Sequence, residues 1–304
     1  MRILELIFLW QLLKNYLGKY FYIGVNQIIL LITKILSRFG ISSRLLSVDI
    51  LILKFLNKNN LKKPPLLAGF PKSGNTWVRF VIFNYFNILK NGAKKTLTFD
   101  ELNSIQYHQL EHAEVGPFVS NYPKLFRTHQ NYRKIFNYFK VIYIYRNPLD
   151  TLISWYYYHK KRISPFRNYP RKVKKKLYDI NYFVIYELYK WIRHYKLNIN
   201  NCTLLLNYEK LRVNPFKEYS KVIRLIDKGI NDEALRNSIE LSSFDNISKM
   251  AKETNQQYGM GDRQTFKGVF TRSGRSGQYL NELKPEIINL ARLILKLNNI
   301  NIKL

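Results

Sequence analysis

The segment Gly69-Phe-Pro-Lys-Ser-Gly-Asn-Thr-Trp77 constrains the fold most, because it joins a short apolar run to a longer amphipathic one. Leu66–Phe70 has the length and composition of a buried strand, and the pattern from Thr76 to Lys90 predicts a helix that Asn91-Gly92 ends. Glycines at both ends of such a loop allow a tight turn and a close approach to an anion. The segment therefore predicts a phosphate-binding loop at a helix N-terminus.

The alternation of strand and helix continues along the chain. Further strands are predicted at Lys124–Thr128, Val141–Tyr145 and Thr203–Tyr208, and helices from Pro148, over most of residues 215–253, and from Pro285 to Leu297. Strands that alternate with helices predict an α/β fold of three layers, in which helices flank a central parallel sheet. Ligands of such folds bind at the carboxyl ends of the strands, where the loop lies.

Residues 1–63 have a different composition from the rest of the chain. Their apolar stretches, each broken or flanked by Lys or Arg, are Ile3–Leu13, Tyr20–Leu36 and Ser42–Leu56. The most apolar part, Tyr20–Thr33, is shorter than the roughly 20 residues of a membrane-spanning helix. We predict a helical amphipathic extension over residues 1–63 and one domain over residues 64–304. Two roles of the extension stay open, namely packing or homodimerisation and peripheral contact with an anionic membrane.

The charge of the chain favours anionic partners. Lys and Arg number 50 against 20 Asp and Glu, a net charge of +30, which attracts nucleotides, nucleic acids, acidic glycans or anionic membranes alike. Cys202 is the only cysteine in the sequence, which excludes a disulfide within the chain and a cysteine metal cluster. A reducing, cytoplasmic location is therefore the expectation, with peripheral membrane association as the open addition.

The loop differs from the Walker A pattern G-x-x-x-x-G-K-[ST] at one position. Asn75 stands where an NTPase has its lysine, and the lysine of this loop, Lys72, precedes the second glycine. The pattern thus favours a nucleotide with a 5′-phosphate and a transferable group over a magnesium-bound triphosphate. A P-loop kinase or NTPase stays the first alternative. A catalytically inactive basic protein that binds polyanions or membranes is the second.

Pro71-Lys-Ser-Gly-Asn-Thr-Trp77 resembles the P-K-S-G-T-T-W loop of the sulfotransferase family, with Asn75 at the first threonine. The resemblance implies a P-loop-like sulfotransferase domain that uses 3′-phosphoadenosine-5′-phosphosulfate (PAPS) as donor and releases adenosine 3′,5′-bisphosphate (PAP). It also implies that the loop binds the 5′-phosphosulfate, with Lys72 on the bridging oxygen and Trp77 stacked on adenine. The cofactor-binding residues implied in this loop are Lys72, Ser73, Gly74, Asn75, Thr76 and Trp77.

Two more segments resemble the family near the middle of the chain. Tyr145-Arg-Asn-Pro-Leu-Asp150, together with Ser154, resembles R-N-P-x-D-x-x-x-S, which implies that Arg146 and Ser154 bind the 3′-phosphate. An arginine at a strand tip can donate two hydrogen bonds to a phosphate. Tyr208, predicted at the end of the fourth strand, resembles the tyrosine that contacts adenine.

The last segment is Phe270-Thr-Arg-Ser-Gly-Arg-Ser-Gly-Gln-Tyr279. It resembles the family's R-K-G-x-x-G-x-W pattern, which implies that Arg272, Ser273 and Gly274 contact the 3′-phosphate. Ser273 stands in place of the lysine and Tyr279 in place of the tryptophan, so the expected grip on the donor is weaker here.

Phe126-Arg-Thr-His129 resembles the family's K-T-H, which implies that His129 is the general base, a role suited to a side chain that titrates near neutrality. Lys72 is then expected to neutralise the charge that develops on the leaving phosphate, and Arg127 to assist. A carboxylate base is the alternative. Its candidates are Glu101, Glu111 and Glu114.

Two stretches near these motifs do not belong to the family resemblance and are interpreted separately. His108-Gln-Leu-Glu-His112 matches a zinc-protease pattern, but no convincing third ligand lies nearby, so no metal requirement is predicted. Residues 160–176 include nine Lys or Arg and no acid, which predicts a mobile loop beside the acceptor site. That loop attracts an acidic glycan or a lipid headgroup, or is only solvated. The expected acceptor is a small molecule, a glycan or a lipid, and no specific nucleic acid is expected.

Overall fold

The computed structural model describes residues 43–92, 94–106, 108–110, 114–115, 119, 122–162, 164–227, 229–253 and 274–302. The chain divides into two compact units, Met1–Phe55 and Leu56–Leu304. The stretch predicted as the last helix of the extension corresponds to α1, Ser43–Lys58. The earlier predicted helices lie outside the described residues, and the division at residues 63 and 64 stays a prediction. Among the helices described, none combines the length and the apolar character needed to cross a membrane.

The helices after α1 include the four predicted regions and others that the sequence analysis did not predict, the longest of which is Ile180–Ile199. In chain order they are α2 (Asn75–Asn91), α3 (Phe99–Ile105), α4 (Pro148–Lys160), α5 (Arg171–Lys174), α6 (Ile180–Ile199), α7 (Tyr208–Val213), α8 (Pro215–Ile226), α9 (Asp232–Leu241), α10 (Phe244–Glu253), α11 (Tyr279–Glu282) and α12 (Pro285–Leu297). Short 3-10 helices cover Lys134–Tyr138 and Lys176–Tyr178. The bounds of α12 agree with the prediction, because a proline at the first helical position fixes its start.

Among the described residues, six strands form one sheet in the order β3-β2-β4-β1-β5-β6. The strands are β1 (Pro65–Gly69), β2 (His108–Gln109), β3 (Glu114–Val115), β4 (Phe126–Thr128), β5 (Lys140–Tyr145) and β6 (Leu204–Asn207). All neighbours pair in parallel except β2 and β3, which pair antiparallel at one edge. The predicted parallel α/β sheet is confirmed. β2 and β3 have only two residues each and are too short to leave a sequence pattern.

Alternate residues of β5 contact helices on opposite faces of the sheet. Ile142 and Ile144 belong to a buried cluster with residues of α2, α8 and α9. The Tyr143 ring lies 5.6 Å from the ring of His194 in α6, and the Tyr145 ring lies 5.3 Å from that of Tyr195. Because side chains of a strand alternate between faces, helices cover both sides of the sheet, which confirms the three layers.

The basic segment 160–176 contains buried aromatic residues and a short helix. Phe166, Tyr169 and Leu177 are buried in a cluster with Phe183 of α6, and α5 lies within the segment. The prediction of a mobile loop weighed the charges and not the aromatic residues between them, and the mobility itself stays a prediction. Apolar burial of this kind holds a segment in place even when its exposed side is cationic.

Candidate active site

The loop between β1 and α2 has two residues with left-handed backbone conformations. Lys72 has a φ of 71° and Gly74 a φ of 113°, and the Ser73 amide donates a hydrogen bond of 3.1 Å to the carbonyl of Phe70. A Cβ at Gly74 would lie 2.8 Å from the ring of Tyr208, so this position needs glycine for both its conformation and its space. The loop is therefore a tight turn packed against Tyr208.

Several buried polar atoms of this loop lack a hydrogen-bond partner among the described residues. They include the Ser73 hydroxyl, both polar atoms of the Asn75 side chain and the indole nitrogen of Trp77. Buried polar groups are nearly always paired, because leaving one unpaired costs about 1–3 kcal/mol. Unpaired groups beside a helix N-terminus fit a loop that completes its hydrogen bonds with a polar ligand.

A cavity of about 820 Å³ opens above this loop. The predicted site residues that line it are Lys72, Gly74, Asn75, Thr76, Trp77, His129, Arg146, Ser154, Tyr208 and Gly274. Ser73 is buried in the loop and does not line the cavity. Arg272 and Ser273 lie outside the described residues. Residues that follow the ends of four strands thus meet the C-terminal loop in one place, as expected where parallel strands end.

The ring of His129 has a defined orientation at the end of β4. Its Nδ1 lies 2.7 Å from the carbonyl oxygen of Gly69, which can only accept a hydrogen bond. Nδ1 therefore carries the proton and donates it to this bond. In the neutral ring Nε2 is then the unprotonated nitrogen, which is the basic atom of the side chain.

A second histidine, His194 of α6, interacts with His129 but has a different environment. It is buried, its Nδ1 lies 3.1 Å from the hydroxyl of Tyr143, and it does not line the cavity. Burial, followed by the charge of His129, lowers the pKa of His194 to about 3. His194 is therefore neutral at neutral pH and adds no positive charge beside His129.

The alternative carboxylates occupy other places. Glu101 accepts a hydrogen bond of 2.7 Å from the Thr98 amide in a capping box at the start of α3, and it does not line the cavity. Glu114 lies in β3, and Glu111 lies outside the described residues, as does His112. Within the described part of the chain, no three His, Cys, Asp or Glu side chains group in a way that could hold a metal ion.

Arg146 links the end of β5 to the C-terminal loop. It is buried, its Nη2 donates a hydrogen bond of 2.7 Å to the Arg275 carbonyl, and its guanidinium lies 4.6 Å from the ring centre of Tyr208. Its Nε is buried and has no partner among the described residues. Arg146 thus retains donor capacity at the cavity wall, which fits a second anionic group.

Tyr208 has a different position from the predicted one. It begins α7 and does not end β6, because Asn207 caps that helix by accepting a hydrogen bond from the Lys210 amide. Burial raises the pKa of the Tyr208 hydroxyl, so the group stays protonated and donates a hydrogen bond of 2.9 Å to the Gly274 carbonyl. Tyr208 therefore contacts the loop between β1 and α2 and also holds the C-terminal loop.

Asp150 anchors the same C-terminal loop from α4. The carboxylate is fully buried and accepts hydrogen bonds from the amides of Gly277, at 2.7 Å, and Tyr279, at 3.3 Å. Asn147 caps the helix that holds Asp150, by accepting hydrogen bonds from the amides of Leu149 and Asp150. The aspartate that the sequence marked only as part of a motif is thus a positioning residue for residues 274–279.

Replacing Asp150 with alanine is expected to leave two loop amides without their acceptor. We expect the free energy of unfolding to fall by about 1–3 kcal/mol, because a buried unpaired group costs that much. Thermal unfolding followed by circular dichroism measures this loss. The Asp232→Asn variant is the control, because that carboxylate is exposed; an equal effect of both variants would contradict the anchoring role.

Sequence reasoning missed several residues of the cavity. Phe244, at the start of α10, would collide at 2.4 Å with a Cβ at Gly274, and Arg79 of α2 lies on the cavity wall. No motif in the sequence analysis pointed to Phe244. The signal for Arg79 was present, since it interrupts the apolar run Val78–Phe83. Other lining residues that were missed are Arg212, Glu240, Asp245 and Arg275.

Both a family model and a sequence relative show that this chain is similar to sulfotransferases. The sequence model of the family described as "Sulfotransferase domain" matches residues 62–298. A rabbit (Oryctolagus cuniculus) amine sulfotransferase is 30% identical over 118 residues, which cover 36% of this chain and 38% of that protein. The match thus spans well under two thirds of that relative.

Two similar solved structures have the same fold. Retinol dehydratase in complex with androsterone and inactive cofactor PAP has a TM-score of 0.58 at 15% identity, over 79% of this chain and 82% of that one. The mouse sulfotransferase SULT7A1 complexed with PAP has a TM-score of 0.54 at 20% identity, over 79% and 84%. At these identities the likeness establishes the fold.

Proposed function

Since the chain belongs to the sulfotransferase family, we propose that it moves a sulfuryl group from PAPS to a hydroxyl or amine acceptor. The observation that carries this proposal is that Lys72, His129 and Arg146 line one cavity above the loop between β1 and α2. Solved relatives with this fold hold PAP, the product expected from PAPS, which supports the choice of donor.

The residues of the cavity fit a donor with two anionic ends. The loop offers the N-terminal amides of α2, the side chains of Asn75 and Thr76, and the ammonium of Lys72 for the 5′ end. Arg146, Ser154 and the Gly274 amide are assigned to the 3′-phosphate, together with Arg272 and Ser273. Trp77, 5.7 Å from the ring centre of Tyr208, is assigned to the adenine with that tyrosine.

The reaction requires proton removal from the acceptor and positive charge near the leaving oxygen. When bound, PAPS supplies a sulfuryl group joined to a good phosphate leaving group. Nε2 of His129 accepts the acceptor proton, since the Gly69 carbonyl holds the other ring nitrogen in its protonated form. The Lys72 ammonium compensates the negative charge that grows on the bridging oxygen.

The relatives indicate only the broad chemical class of the acceptor. The rabbit relative is an amine sulfotransferase, and the retinol dehydratase structures contain androsterone or retinol. We therefore propose a small-molecule acceptor with a hydroxyl or amine. Glycan and lipid acceptors, a cytoplasmic location, and membrane contact or homodimerisation through residues 1–63 stay predictions.

Calorimetry with purified protein tests the proposal directly. We expect PAP to bind more tightly than ATP in the presence of a chelator, because the loop lacks the Walker lysine and Arg146 supplies a second anion site. Transfer of labelled sulfate from PAPS to a panel of phenols and amines is the matching activity measurement.

Two outcomes would contradict the proposal. Tighter binding of ATP with magnesium than of PAP would favour the kinase or NTPase alternative. Absence of nucleotide binding, together with binding of polyanions that weakens steeply with salt, would favour the inactive basic protein.

A further inference from the structure

Arg79 is a buried cation on the wall of the catalytic cavity. It lies in α2 four residues after Asn75 and is only 5% exposed. Its Nε donates a hydrogen bond to Oε1 of Gln106, and its Nη2 donates one of 3.0 Å to Oδ1 of Asn103. A guanidinium has five N–H donors, so these two bonds leave others for the cavity that the side chain lines.

The hydrogen-bond partners of Arg79 do not supply a negative charge. Both hydrogen-bond partners are neutral amides, and no carboxylate within the described residues forms an ion pair with it. Burial, reinforced by the charge of Arg127, lowers the pKa of the Arg79 guanidinium. A buried cation is unfavourable unless an anion compensates it, and neither hydrogen-bond partner of Arg79 provides one.

Arg127 links Arg79 to the candidate base, because its charge acts on Arg79 and it lies near His129 in sequence. Arg127 is two residues before His129, and both line the cavity, as does Phe99 of α3. His129 directly follows β4, and residues two apart in extended backbone are separated by roughly 6–7 Å. The relevant acceptor is an aromatic ring with a hydroxyl at one end and a second group at the opposite end. When the hydroxyl reaches His129, the second group lies near the two arginines.

We propose that Arg79, assisted by Arg127, binds an anionic group of the acceptor, so that the enzyme prefers hydroxylated compounds that also carry a carboxylate. This inference rests on the proposed sulfuryl transfer. It makes Arg79 a specificity residue on the acceptor side of the cavity, separate from the loop and Arg146 that are assigned to the donor. The guanidinium matches a carboxylate through paired hydrogen bonds.

The test compares 4-hydroxyphenylacetate with its methyl ester as acceptors, which differ only in charge at one end. We expect wild-type kcat/KM to favour the acid, and Arg79→Gln to reduce that preference by about 10- to 100-fold, the range of a hydrogen bond to a charged group. Arg79→Lys keeps the charge and is expected to retain part of the preference. Arg224→Gln, which removes an exposed charge on α8, is the control.

A second measurement uses only wild-type protein, so it does not depend on whether a variant folds. Phenylacetate, which lacks the hydroxyl, is expected to compete with the methyl ester acceptor and to bind the PAP complex in calorimetry, whereas methyl phenylacetate is not. A merely structural role of Arg79 would lower the rates with acid and ester equally. It would leave their ratio unchanged, and that result would overturn the inference.

The outcomes also separate this inference from the proposed function. Transfer to the ester with no preference for the acid, and no competition by phenylacetate, would overturn the inference while the sulfotransferase activity stands. Charge-dependent phenylacetate binding that Arg79→Gln abolishes, without transfer to any acceptor, would support the anion site and overturn the proposed reaction. Binding of neither PAP nor phenylacetate would overturn both.

Discussion

Replacing His129 with asparagine is expected to lower the turnover number by about 10²- to 10⁴-fold with a hydroxyl acceptor, the usual contribution of a general base. Asparagine is the informative substitution because its amide nitrogen can still donate to the Gly69 carbonyl, which His129 Nδ1 reaches at 2.7 Å. The variant therefore keeps the local hydrogen bond and loses only the basic Nε2. PAP affinity by calorimetry is expected to be unchanged.

The choice of acceptor sharpens this prediction. A phenol that is already ionised at the assay pH needs no base, so the loss of rate in His129→Asn is expected to be much smaller with it than with an aliphatic alcohol. An equal loss with both acceptors would show that His129 positions the acceptor and does not remove a proton. An unchanged rate with both would return the role to a carboxylate.

The turn between β1 and α2 and the parallel sheet could be predicted because their causes are local. The strand before Gly69 and the helix after Asn75 each have a clear hydrophobic pattern, and the turn between them needs glycine at Gly74, where φ is 113°. Proline at position 285 likewise marks the start of α12. Such features depend on neighbours in sequence, so one chain is enough to read them.

Other parts of the site depend on contacts between distant residues. Asp150 holds the amides of Gly277 and Tyr279 across more than a hundred residues, and nothing beside it in the sequence indicates these partners. The hydrogen bond from Tyr208 to Gly274 is of the same kind. The position of Arg79 on the cavity wall likewise follows from the folded chain and not from its neighbours in sequence.

Replacing Lys72 with methionine is expected to lower the turnover number by about 10²- to 10³-fold, the usual cost of removing one group that stabilises transition-state charge. Methionine keeps most of the side-chain length and removes the charge. Methionine and lysine also have a similar cost of adopting the φ of 71° at residue 72, which glycine alone would adopt without strain. Loss of activity then reports the ammonium and not a changed loop.

A matched control exists on α4. The Lys72 Nζ lies 5.4 Å from the ring centre of Tyr158, and the Lys160 Nζ lies 5.5 Å from that of Tyr156, but Lys160 is exposed and does not line the cavity. Lys160→Met removes the same charge and the same kind of aromatic contact, so we expect its kcat to match wild type. Since PAP lacks the sulfuryl group, Lys72→Met is expected to lose far more in kcat than in PAP affinity. Equal losses in both would make Lys72 a binding residue only.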